Sequence, residues 1–170
     1  MKQVNKLLAA LFSAFAVTAF AGESTTDVVI AGSVVGSCTI SAPSTVAFGS
    51  MPKDTVKTET FNITVNCGSG VAYTIKPHNA STISVGGTKN GTNFNITPSI
   101  TGQSSFSVEI GVVNLYRDTA ATQAWSDRAG EQISGTGTGA NQNHGVAVKF
   151  THDGTNYGNF SATLRPTVTF

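Results

Sequence analysis

Charge is scarce in this chain. Only 11% of its 170 residues are Asp, Glu, Lys or Arg, and the formal net charge is +1. No basic stripe, polybasic run or lipidation pattern exists, which argues against nucleic acid and against membrane insertion or anchoring. Helical periodicity is missing as well: beyond residue 21 no stretch of ten or more residues repeats apolar side chains every 3.6 positions. Nor does any later segment approach the roughly 20 apolar residues of a membrane-spanning helix. The three histidines, His78, His144 and His152, form no short-spaced ligand pair and fall in turn-rich contexts, so they read as exposed loop residues rather than metal ligands. Asp118, Asp127 and Glu131 have nothing in the sequence to bring them face to face, and they read as turn caps. The Gly-Thr repeat at 135–139 lacks the lysine and strand–helix setting of a phosphate loop, and Ser104 and Ser105 lack a nucleophile elbow. Neither catalysis nor a cofactor is expected.

What is present begins with an export signal. Lys2 and Lys6 open it, an apolar run follows over 7–20, and Ala19-Phe20-Ala21 supplies the small-x-small cleavage pattern. Removing residues 1–21 leaves 149 residues, room for one domain with a real core, carrying 8 basic against 9 acidic side chains. In an exported chain the only two cysteines, Cys38 and Cys67, read as a disulfide made in an oxidising compartment such as the bacterial periplasm. Closing a loop of about 30 residues stabilises by about 3–4 kcal/mol in the chain-entropy view. Eighteen glycines and an abundance of Thr, Ser, Asn and Val favour strands joined by tight turns. The predicted class is all-β.

The alternation supports that class locally. Phe61, Ile63, Val65 and Cys67 share a face, so Cys67 points inward and the disulfide lies inside a sandwich. Gly68-Ser69-Gly70 is a turn, and 72–77 is the returning strand with Tyr73 and Ile75 on one side. A short strand is expected over 81–85, with a turn at Gly86-Gly87. Asn90-Gly91 carries a hairpin signature. Phe106, Val108, Ile110 and Val112 alternate, and the switch of parity at Val113 and Leu115 predicts a bulge. The 130–143 stretch, containing GTGTGANQN, reads as a mobile loop. Trp125, the single tryptophan, reads as packing over the end of the sandwich, against the alternative of a sugar-stacking platform.

Two ends of the chain stand out. At the front, 25–35 (TTDVVIAGSVV) is apolar, β-branched and nearly uncharged. At the back, Phe160, Ala162, Leu164, Val168 and Phe170 share one parity, so an apolar strand runs to the last residue. Pro166 removes one ladder donor there and predicts an irregular or free edge. About six strands are counted after Gly36, against the seven of an immunoglobulin-like sandwich. A surplus strand at the front and a deficit at the back are resolved either by pairing within the chain or by pairing between copies.

Several segments together resemble a known family. They are SCTI (37–40), VAFGSM (46–51), VNC (65–67), VNLYRDTAATQAW (113–125) and GNFSATLRPTVTF (158–170), preceded by the apolar strand. In order and spacing they are similar to the spore coat protein U domain, whose members include Csu-type, or archaic, chaperone–usher pilins. The resemblance covers essentially all of 22–170. It implies an incomplete immunoglobulin-like sandwich of Greek-key type, and a pilus or fimbrial subunit exported through the periplasm to the cell surface. It also implies three partners: other pilin subunits, a periplasmic chaperone and an outer-membrane usher. Function would then be polymerisation by donor-strand complementation, serving adhesion and biofilm formation. Pro166 and the Gly-Thr repeat depart from the family pattern and bear on local edge geometry.

On this reading 1–21 is the signal, 22–35 the donor strand and 36–170 the pilin domain. Val28, Ile30, Gly32 and Val34 share the donor parity without Asp27, whose unpaired burial would be costly, so they are the expected groove-binding face. Each buried Val or Ile contributes about 1.5–3 kcal/mol. The strand of Phe160, Ala162, Leu164, Val168 and Phe170 is the expected acceptor and chaperone contact. Two other readings stay open: a secreted, self-complete carbohydrate-binding β-sandwich, and a spore or cell-coat component of the same fold.

Overall fold

A computed structural model describes residues 35–77 and 83–170. The segment 25–34, the signal and His78 lie outside the described residues.

The described residues form an all-β sandwich of antiparallel strands. In chain order the strands are β1 (Cys38–Ser41), β2 (Val56–Cys67), β3 (Ala72–Lys76), β4 (Ser84–Lys89), β5 (Thr92–Ile96), β6 (Ser105–Ser107), β7 (Gly111–Tyr116), β8 (Ile133–Thr136), β9 (Asn141–His152), β10 (Gly158–Thr163) and β11 (Thr167–Thr169). A five-stranded sheet has the order β1-β2-β9-β7-β6. Opposite it lie two three-stranded sheets, β10-β4-β5 and β11-β3-β8. There are more strand segments than the roughly six expected, because the 106–116 and 158–170 runs each divide in two and 130–143 holds a strand of its own.

The frame of the large sheet is the β2–β9 pair, with Phe61 opposite Val146 and Ile63 opposite His144. Ile63, Val65 and Cys67 on β2 and Val146, Val148 and Phe150 on β9 are buried, as alternation dictates. They form one core with Tyr73, Ile75, Val85, Leu115 and Trp125. Trp125 is wholly buried and donates its Nε1–H to the carbonyl of Ile75 at 3.2 Å. Packing, not sugar stacking, is therefore its role. The disulfide joins Cys38 to Cys67, directly opposite each other on β1 and β2.

Four local expectations change. Gly86-Gly87 is the middle of β4, not a turn; a Cβ on Gly87 would lie 2.0 Å from the carbonyl oxygen of Asn159, so the glycine admits a neighbouring backbone. The predicted bulge near Val112 is instead a hairpin: β6 and β7 are joined over 108–110, with the Val108 amide bonded to the Gly111 carbonyl. The 130–143 stretch holds β8 and the start of β9. Two of its glycines serve contact, since a Cβ on Gly135 would strike the Tyr73 ring and hydroxyl and one on Gly137 would strike Gly68 and Cys67. Lastly, the terminal run is not one strand. β10 pairs with β4 and β11 pairs with β3, with Leu164, Arg165 and Pro166 bridging two sheets.

Candidate functional site

The feature that stands out is an apolar cleft of about 870 Å³ on the side of the sandwich where the C-terminal strands run. Its floor is the inner face of the large sheet: Phe61 of β2, Phe106 of β6, Val113 and Leu115 of β7, and Val148 and Phe150 of β9. One wall is β10 with the residues after it, through Phe160, Ala162, Leu164 and Pro166. The other is the segment 42–51, which has no regular secondary structure.

Both walls follow from local chemistry. β1 pairs with the last four residues of β2 and then ends. Pro43, two residues on, has no N–H with which to continue the ladder, so the chain leaves the sheet there. On the opposite side β10 and β11 are, among the described residues, both edge strands, each with a single partner. Pro166 falls in the break between them, where a missing donor is tolerated. A strand edge with no partner among the described residues therefore flanks an apolar floor.

An aromatic cluster occupies part of this cleft. The rings of Phe150 and Phe160 have centroids 4.5 Å apart, and Phe48 packs 5.8 Å from the first and 6.2 Å from the second. Lys57 Nζ donates to the carbonyl of Phe48 and pairs with Glu59 at 3.1 Å. The end of β9 and the loop after it border the same cleft through His152 and Tyr157. The loop's shape is held by Asp153. Slight desolvation works against ionisation there, yet the backbone and side-chain donors of Asn156, the Thr155 amide and the nearby His152 bring the carboxyl down to about 2.

The expected site residues are distributed unevenly. Phe160, Ala162 and Leu164 line the cleft, whereas Val168 lies on β11, partly buried, and Phe170 is exposed. Val28, Ile30, Gly32 and Val34 lie outside the described residues. Val35, the first described residue, is 84% exposed.

The histidines differ from the loop assignment made from sequence. His144 is on β9, and its Nε2 is 2.8 Å from the Tyr73 hydroxyl of the opposite sheet. Burial pushes the His144 pKa down and the Tyr73 pKa up. The sequence signal was available, since His144 shares parity with Val146, Val148 and Phe150. His152 closes β9, and its Nδ1 accepts from the Gly154 amide. The acidic residues serve turns: Asp118 accepts from the Thr122 and Gln123 amides, Asp127 from the Gly102 amide, and Glu131 from the Ser126 hydroxyl. Among the described residues no group of three or more His, Cys, Asp or Glu is placed to hold a metal, and no helix is long and apolar enough to cross a membrane.

Residues 24–165 match the family model described as Spore Coat Protein U domain, and the chain belongs to that family. No curated protein and no solved structure matches it. The matched span starts at residue 24 and so includes the apolar segment 25–35.

Proposed function

We propose, with membership of the Spore Coat Protein U domain family as the premise, that this chain is a structural subunit of a chaperone–usher pilus. In this reading it is exported through the periplasm, held there by a chaperone and polymerised at an outer-membrane usher. The assembled fibre serves surface adhesion and biofilm formation. The observation that carries the reading is the apolar cleft beside the unpaired edge of β10. A cleft of this kind fits an extended strand: main-chain bonds form along the edge while alternate side chains enter the floor.

The occupant is the 22–35 segment of a second copy. Val28, Ile30 and Val34 present one uncharged face, with Gly32 between them, and Asp27 falls on the other. Ten such residues span about 33 Å, enough to run the length of a domain. Phe160, Ala162 and Leu164 form the receiving wall, and the same wall is the chaperone's contact before assembly.

Fibre assembly from purified chaperone-bound subunits tests this directly. Deleting 22–35 leaves a subunit that stays chaperone-bound and does not join the next. Ile30→Asp blocks assembly far more than Val29→Asp does. Equal effects of the two substitutions, or normal polymerisation of the truncated chain, contradict the assignment.

A further inference from the structure

The 42–51 segment makes the second wall of the cleft in a way that differs from every other wall. Each strand around it is held by ladder bonds, whereas among the described residues 42–51 takes part in no backbone–backbone hydrogen bond. Its attachment is side-chain only. Phe48 rests against Phe150 and Phe160, Lys57 Nζ reaches the Phe48 carbonyl, and Val46 and Met51 are half-buried while most of the remainder is exposed. Gly49, immediately after the anchor, has φ of 65°, a conformation glycine enters without a Cβ penalty. A segment held by the packing of a few half-buried side chains and one lysine, with no ladder bonds, opens locally at lower cost than a paired strand.

We propose that 42–51 is a displaceable strap that covers the cleft in cis through Phe48 and lifts before a donor strand seats. This rests on the donor-strand reading above and adds a step to it. The free subunit is partly self-capped, so Phe150 and Phe160 are shielded from water until a segment with more apolar contacts and a full set of main-chain bonds replaces the strap. The apparent affinity for a donor is then reduced by the fraction of subunits whose strap is closed. Lys57 strengthens the closed state because its ammonium satisfies a carbonyl that has no ladder partner.

The test uses the mature chain carrying Ile30→Asp, so that its own segment does not compete, and a synthetic peptide of sequence 22–35 as probe. In this background Phe48→Ala speeds peptide uptake by about tenfold, and Lys57→Met speeds it by a smaller factor. Without peptide, Phe48→Ala raises binding of the dye ANS, which reports newly exposed apolar surface. Slower uptake or lower final occupancy in Phe48→Ala makes Phe48 part of the donor's binding wall and overturns the strap. Unchanged uptake with unchanged dye binding overturns it too. If no variant takes up peptide while Phe48→Ala still raises dye binding, the cover stands and the donor reading falls. Lys57→Met, at an exposed position, keeps the test open if Phe48→Ala does not fold.

Discussion

A Cβ on Gly137 would sit 2.2 Å from the carbonyl oxygen of Gly68 and 2.7 Å from the Cβ of Cys67. The first of these is backbone and cannot swing aside. Gly139, two residues on, has open space around its missing Cβ but a φ of 77°. Its replacement by Ala therefore costs about 1–2 kcal/mol of left-handed strain, whereas Gly137→Ala forces two backbone segments apart and costs more. Urea midpoints of the two variants give the order. His144 supplies a second residue-scale expectation. Burial lowers its pKa below the ordinary 6.5, so the unfolded chain takes up its proton first as pH falls. Its contribution is constant above about pH 6.5 and is lost as pH drops from there toward the folded value. Stability measured at pH 7.5 and at pH 5 shows this fall, and His144→Gln reduces it.

At the scale of elements, β1 is short and, among the described residues, lies at the edge of its sheet with only β2 beside it. Four residue pairs hold it, and the Cys38–Cys67 disulfide adds a covalent tie across one of them. With a sequence separation of 29, removing the bond by Cys38→Ser and Cys67→Ser together lowers stability by about 3–4 kcal/mol, read from the shift in denaturant midpoint. That loss falls next to the strap, since 42–51 begins where β1 ends. The C-terminal elements show the opposite economy. Among the described residues β10 and β11 each keep one edge unpaired, and Pro166 in the break between them costs no ladder bond. Leaving long strand edges open invites pairing with another chain, which is why these edges carry the functional proposal.

For the molecule as a whole, cohesion between copies would rest on apolar burial and main-chain bonds rather than on charge. With 11% charged residues there is little electrostatic attraction to screen. If the chain polymerises as proposed, its fibres stay intact in 1 M salt, where the screening length is about 3 Å; sedimentation after a salt wash checks this. In the proposed assembly the strap would add a kinetic layer, because the free subunit and the assembled one would differ in what fills the same cleft.

Alternation in the sequence decided much of this protein. The inward faces of β2, β3 and β9 follow from residues such as Ile63, Tyr73 and Val148, because a strand has only two faces and water selects between them. The Cys38–Cys67 pairing, the Asn90-Gly91 hairpin turn and the capping role of Asp118 were legible for similarly local reasons. Tertiary structure decided the rest. Whether a glycine marks a turn or a close approach depends on a neighbour distant in sequence, as Asn159 does for Gly87 and Tyr73 for Gly135. The partner of His144 is on another sheet, and the terminal run divides because β4 and β3 lie in different sheets. The cleft itself exists only once Phe48, Phe150 and Phe160, from three separate segments, meet across the sandwich. Period is a property of a segment, whereas a site is a property of segments brought together.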